Sequence, residues 1–424
     1  MGASGSAERE PDLLSAVRAR DTALVRSLLR EGVGLDPREG EGIDVRDAAF
    51  GVAVRMHSGD LAQLLLQYGA EPGACGPGEL PTLREAVDSG SPALVEALLD
   101  HSIRDKYPVS ELAEMRDLAR RWHESGVEAE LRRRTGSQET PACTRVEDDE
   151  YYSVGEYALG PMAVRDGHGA ILTDLEELLG VRTEFEELMA RALAHDHDHT
   201  AWARATILLA GRRDQAIWTA AAALRAHADP SHRLFGAEVL RLTHLFDDSD
   251  EDAFAGPALN VFTDWSAEET DLTVLTEVLV ALGEHSDPRA DAALLAYAGH
   301  PDHRLRGAVA RGLNMWPEQR AFSDDVREAL LVLMADADAV VRRNACLKVG
   351  EGRGRHPALA EAMATLLDDV DRRVQVAAVY GLALHDDERC VDAARRLGPP
   401  RPGLAGEEDH LDAVWRYERR RDGC

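Results

Sequence analysis

The chain has 424 residues, 44% of them hydrophobic and 29% charged, and a formal net charge of −29. That composition is globular, with enough apolar material for two or three domain-sized cores. A field of this sign repels nucleic-acid phosphates and anionic membrane, and it favours partners of basic or mixed charge.

From Met1 to Glu10 the chain is small and polar, with no apolar h-region. No later run approaches the roughly 20 apolar residues of a membrane span, so a cytoplasmic protein is expected. Alanine, leucine, arginine and glutamate are abundant and aromatics are only 5%, which moves the expectation toward helices. Three units then repeat. Ala16 precedes the Leu28–Leu29 pair by twelve positions, Ala53 precedes Leu65–Leu66 and Ala86 precedes Leu98–Leu99 at the same interval. The alanine is a small residue where two helices touch, and the leucine pair is the apolar stripe of the second helix. Gly32 and Gly69 fall where a C-cap glycine belongs. The units are 37 and then 33 residues apart, and a more polar fourth has Ala119 and Leu131. With Pro81-Thr-Leu-Arg-Glu-Ala86 as the best match, residues 12–134 resemble ankyrin repeats. The resemblance implies protein binding through the fingers near 35–47, 71–81 and 101–109.

Residues 135–160 lose helical periodicity, and 135–170 read as a linker, with an acidic-aromatic patch from Glu147 to Tyr152. Tyr151 and Tyr152 are its candidates for docking on a neighbour or engaging a basic groove. Helices return at 172–179, with Thr173 and Asp174 placed to cap the first, and at 184–194. The stretch His195-Asp-His-Asp-His199 is the most metal-like in the chain, because alternating histidines share one side of an extended segment. No distant partner motif stands out, and the same residues supply the polar turn that a helix needs, so no metal is expected.

The second half carries a longer repeat. Trp202, Phe235, Arg306, Arg342 and Gln375 each lie six residues after a turn residue, namely Asp196, Asp229, His300, Asp336 and Asp369. Leu209, Leu242, Leu313, Val349 and Leu382 follow seven residues further on. The anchors are 33, 71, 36 and 33 residues apart, so a degenerate unit is expected near 271, where Leu272–Leu282 is apolar. Partner helices are expected at about 213–226, 251–262, 288–298, 324–335, 357–368 and 387–397. Each hairpin buries its apolar face only by stacking on its neighbours. The Asp-x-x-x-Val-Arg-x-x-Ala pattern of residues 171–398 resembles HEAT repeats, including the bilin-lyase type. The resemblance implies pairing between turn aspartates and helix arginines of neighbouring units, here Asp336 or Asp338 with Arg342, and Asp369 or Asp371 with Arg372 or Arg373. A last helix at 407–421 is expected to dock Trp415 as a cap.

The five cysteines are scattered, odd in number and without a CxxC pair, as in reduced thiols. No Walker A, GxGxxG, GxSxG or HExxH motif is present. HEAT-like hydroxylases carry repeated His-Glu pairs, and the chain has one, His123-Glu124, outside that half. The expectation is therefore an all-α α-solenoid, ankyrin repeats followed by HEAT-like hairpins. It acts as a non-catalytic scaffold without cofactor, binding a protein or peptide through Trp202, Phe235, Arg306, Arg342, Gln375, Tyr151 and Tyr152. The alternative is an enzyme or maturation factor presenting a substrate peptide or cofactor. Oligomeric state stays open.

Overall fold

The computed structural model describes residues 12–32, 45–70, 83–99, 107–149, 151–246, 253–314, 322–352, 355–401 and 406–421. They divide into two compact units, Met1–Leu209 and Ala210–Cys424. Helices dominate both, and one three-stranded sheet interrupts them. No helix among the described residues is long and apolar enough to cross a membrane.

The first unit opens with helices α1 (Leu13–Arg18), α2 (Thr22–Arg30), α3 (Val45–Arg55), α4 (Gly59–Gln67), α5 (Leu83–Ser89), α6 (Pro92–Leu98), α7 (Val109–Ser125) and α8 (Val127–Thr135). They pair in order as hairpins, and α1 packs on α3, α4 on α6 and α5 on α7. The twelve-residue offset is the register of this packing. Ala16, Ala53, Ala86 and Ala119 are buried, as are Leu28, Leu65, Leu98 and Leu131. Asp12 and Asp21 cap the first two helices by accepting hydrogen bonds from Ser15 N (2.6 Å) and Leu24 N (2.9 Å). Gly32 and Gly69 take positive φ, +81° and +87°, at their helix ends, as a C-cap requires. The expected fingers lie for the most part outside the described residues.

The segment expected as a linker is a folded sheet. Strands β1 (Ala142–Glu147), β2 (Ser153–Leu159) and β3 (Met162–Arg165) are antiparallel, in that order. β1 is largely exposed and β2 and β3 bury only Val154, Leu159, Val164 and Arg165, so no strong alternation marks them in the sequence. The sheet is fastened through charge. Arg165 Nη1 donates to Asp148 Oδ1 (3.3 Å), Ser91 Oγ (3.2 Å) and His57 O (3.4 Å). Asp148 accepts from Ser91 Oγ (3.1 Å) and from Ala93 N (3.0 Å) at the start of α6. Burial pushes the Asp148 carboxyl up, against the pull of the Ala93 N–H and of Arg165. The acidic-aromatic patch is the β1–β2 turn, where Asp149 Oδ1 accepts from Tyr151 N and Tyr152 N (2.7 Å each).

Beyond the sheet come α9 (His168–Leu178), α10 (Phe185–Leu193) and α11 (Thr200–Gly211). α9 starts earlier than expected, so Thr173 and Asp174 do not cap it. Thr173 sits inside the helix and donates to Gly169 O (2.9 Å). The cap is Gly167, whose N–H reaches Gly90 O (3.1 Å).

The second unit contains α12 (Gln215–Ala223), α13 (Pro230–Leu245), α14 (Ala255–Glu268), α15 (Leu272–Gly283), α16 (Pro288–Leu295), α17 (His303–Gly312), α18 (Asp324–Met334), α19 (Ala339–Glu351), α20 (Pro357–Thr365), α21 (Arg372–Leu384), α22 (Arg389–Leu397) and α23 (Glu407–Arg421). They form two layers. In one, α13, α15, α17, α19, α21 and α23 each pack on the next. In the other, α14, α16, α18 and α20 do the same. Aspartates 229, 271, 302, 338 and 371 cap successive helices of the first layer, each accepting from the N–H two residues on. Glycines set the closest approach. A Cβ on Gly283 would lie 2.4 Å from Gly312 Cα, and one on Gly350 would lie 3.0 Å from Gly381 Cα. Trp415 does not dock. It is 57% exposed under the Arg419 guanidinium (4.7 Å), and α23 instead buries Ala413, Val414 and Tyr417.

Candidate functional site

The two arginines expected to grip a partner are committed inside the fold. Arg306 forks onto Asp336 (Nε–Oδ2 2.6 Å, Nη2–Oδ1 2.8 Å), and its Nη1 caps His300 O and Pro301 O (2.7 and 2.8 Å). Arg342 repeats every contact one unit on. It forks onto Asp369 (2.7 and 2.8 Å) and caps Asp336 O and Ala337 O (2.9 and 3.0 Å). The expected pairing of Arg342 with Asp336 or Asp338 is thus corrected: the arginine takes its own turn's carbonyls and the next turn's carboxylate. A planar guanidinium with five donors is what allows both at once. Arg306 holds the Asp336 carboxyl below its ordinary range.

The other anchors part from that pattern. Phe235 and Trp202 are 0% and 1% exposed, so neither side chain reaches a surface. The residue in register is Arg233, which forks onto Glu269 (2.9 and 2.8 Å) and caps His227 O and Ala228 O. Asp229 is the N-cap rather than the turn residue, so the count from it runs four residues and not six. Gln375 keeps one piece of the device, donating to Asp369 O (2.7 Å). Arg372 forks onto Glu407 and caps Leu397 O, while Arg373 makes no such pair. Of the expected binding residues, Tyr151 is the freely presented one, 76% exposed at the β1–β2 turn, and Tyr152 is half-buried beside it.

The first unit holds a different cluster. A cavity of ≈ 520 Å³ is lined by His123, Glu128, Tyr157, Asp166, His168 and His195, among others. One wall is rigid. Trp122 stacks on His168 at 4.7 Å, donates Nε1–H to Asp88 Oδ1 (2.8 Å) and is covered by Arg134, which forks onto the same carboxylate. Burial pushes His168 and His195 down to about 4 and also lowers His123. At neutral pH the cavity therefore presents neutral imidazoles.

Asp166 and the last turn before α11 form the floor. Asp166 Oδ1 accepts from Gly155 N (2.7 Å) and from His199 Nε2 (2.9 Å). His199 Nδ1 accepts from Ala201 N (3.0 Å), which fixes the hydrogen on Nε2. His195 stacks on His199 at 3.7 Å, with its Nδ1 3.8 Å from Asp166 Oδ2, too far for a hydrogen bond. Burial raises the Asp166 carboxyl, but the His199 bond and the nearby imidazoles outweigh it and leave it below its ordinary value. The sheet is tied to the same turn by Ser153 N donating to Asp198 O (3.1 Å) and by the Arg145–Asp198 ion pair.

No family model matches this chain, and no curated protein does. Among solved structures, the X-ray structure of YibA from Escherichia coli is similar over 55% of this chain and 93% of that one, at 14% identity and a TM-score of 0.40. A likeness that loose carries no argument about this protein.

The residues must speak for themselves. The two ends of the metal-like stretch, His195 and His199, meet Asp166, while the central His197 stands edge-on to Trp202 instead. The carboxylate they meet lies just past β3. Its signal in the sequence was weak, because Asp166 follows a four-residue strand in a segment without periodicity.

Proposed function

We propose that the chain is a helical-repeat scaffold, with ankyrin-like units followed by HEAT-like units forming an α-solenoid, which binds a protein or peptide of basic or mixed charge. One observation carries this reading. The ladder pairs Arg233, Arg306 and Arg342 internally, while exposed acids such as Asp325, Glu328, Glu388 and Asp412 have no ion-pair partner among the described residues. The surface is left negative, and a complementary segment gains from it in encounter rate and selectivity. Free thiols at Cys143, Cys346 and Cys390 suit a reducing cytoplasm.

The test is capture of partners from the native host at low and at high salt, read by mass spectrometry, beside a variant with Asp325→Lys and Glu328→Lys. The expected result is a partner held at low salt, released at high salt and weakened by the variant. No partner at low salt sinks the scaffold reading.

A second reading, presentation of a substrate or cofactor for chemistry, is favoured by the histidine-lined cavity. It predicts a small molecule travelling with the chain in native mass spectrometry and lost on Ala129→Trp, which fills the cavity mouth from an exposed position.

A further inference from the structure

We propose that Asp166, His195 and His199 hold one divalent transition-metal ion of the zinc class at the floor of the cavity in the first unit. One donor atom from each residue lies within 4.8 Å of the other two. Asp166 Oδ1 lies 2.9 Å from His199 Nε2, and Asp166 Oδ2 lies 3.8 Å from His195 Nδ1. An ion bound at about 2.0–2.2 Å to nitrogen and oxygen needs its ligand atoms about 3–3.5 Å apart, so binding requires the His195 side chain to rotate out of its stack on His199. Two imidazoles and one carboxylate are a donor set suited to zinc, and nickel and copper favour imidazole too. Asp166 and His195 line the cavity, so the remaining coordination position opens into it.

The frame is already paid for by the fold. Asp166 is pinned by Gly155 N, and the turn that carries both histidines is bonded to β2. Pre-organisation of this kind lowers the ordering cost of binding. Two contacts work against the ion. The two imidazoles stack nearly parallel (3.7 Å, 6°), so their in-plane lone pairs converge on one ion only once the His195 ring turns out of the stack. His199 Nδ1 accepts from Ala201 N, whereas a ligating histidine normally donates its second N–H to a carbonyl or carboxylate. To bind through Nε2, His199 must surrender that proton, and the ring's hydrogen moves to Nδ1 at the expense of the bond from Ala201. An unfavourable outer contact typically costs a factor of about 10–100 in metal affinity. The site is therefore expected to bind one ion per chain, about 10–100-fold more weakly than the same ligands would with a favourable outer contact.

The test uses the full chain without a polyhistidine tag, dialysed against chelator. Zinc chloride is titrated calorimetrically, and cobalt(II) is followed by its visible absorption. One equivalent is expected to bind, and His195→Ala and Asp166→Asn each weaken binding at least tenfold. His227→Ala, which removes an exposed histidine stacked on His232, leaves binding unchanged. His195→Gln serves as a second variant of similar side-chain volume without the imidazole, and the circular-dichroism spectrum checks the fold. No saturable binding, or one equivalent retained by both His195 variants, overturns the proposal. Partner capture does not depend on this result, so the two failures are distinguishable.

Discussion

Glu269 shows how much one side chain carries in this fold. Its carboxylate accepts the Arg233 fork, Trp265 Nε1–H (3.0 Å), Thr270 N and Asp271 N (2.9 Å each). Burial raises its carboxyl, but those donors overcome it and hold it at about 2. A depressed carboxyl contributes stability that is complete above its ordinary value near 4.5 and is lost as pH falls toward about 2. Glu269→Gln is therefore expected to lower thermal stability at pH 6, by about 2 kcal/mol for a charged hydrogen bond, and the gap to wild type narrows below pH 4.5. Melting curves of both proteins across that range check it. The Arg342–Asp369 pair, 12% and 7% exposed, predicts a comparable loss: Arg342→Ala leaves a largely buried carboxylate without its fork, at about 2–4 kcal/mol by urea denaturation. At this scale the sequence was legible in kind and less so in register. Arg306 and Arg342 stand out in the string, but which acid each one meets depends on the packing of the next helix. Arg233 hides behind Phe235 because a helix N-cap and a turn residue are both aspartate.

Helices were the most legible elements, since a stripe of apolar residues over three turns is hard to mistake. The twelve-residue alanine–leucine offset in the first unit falls on buried positions in all four hairpins. The sheet was not legible, because strands of four to seven residues with one partly buried face leave no period to read. Nor were the glycine contacts between layers, since they need two helices in view together. Gly283→Ala is expected to cost about 1–3 kcal/mol, because its methyl would stand 2.4 Å from Gly312 Cα. Gly256→Ala, on the first turn of α14 with nothing within 4 Å, is expected to stabilise by about 0.5 kcal/mol through the unfolded chain. Equilibrium unfolding of the two variants side by side separates contact from propensity, and equal effects would contradict the packing described.

On the scale of the whole chain, the charge of −29 is the property most open to experiment. Association with a basic partner through such a field is expected to slow steeply as ionic strength rises, with dissociation changing little. Stopped-flow or surface measurements at several salt concentrations read the two rates apart. An association rate indifferent to salt would detach the charge from recognition. Composition alone supported this much. The candidate metal site required Asp166 to be brought to His195 and His199 across α9 and α10; the alternating histidines show in the sequence, but no spacing joins them to that carboxylate.

The rung made by Arg306 and Arg342 has a consequence for how such a chain can lengthen. Each arginine takes carbonyls from its own turn and a carboxylate from the following one, so every rung has one backward and one forward connection. A tandem copy of residues 306–341 inserted after Val341 would present both connections intact at each seam. The inserted Arg306 would meet the original Asp336 turn behind it and the copied Asp336 ahead, and Arg342 would still reach Asp369. In-frame duplication of one module is thus expected to keep the arginine–aspartate connections unbroken. The duplicated protein should express as a monodisperse chain whose helical signal grows in proportion to the added residues.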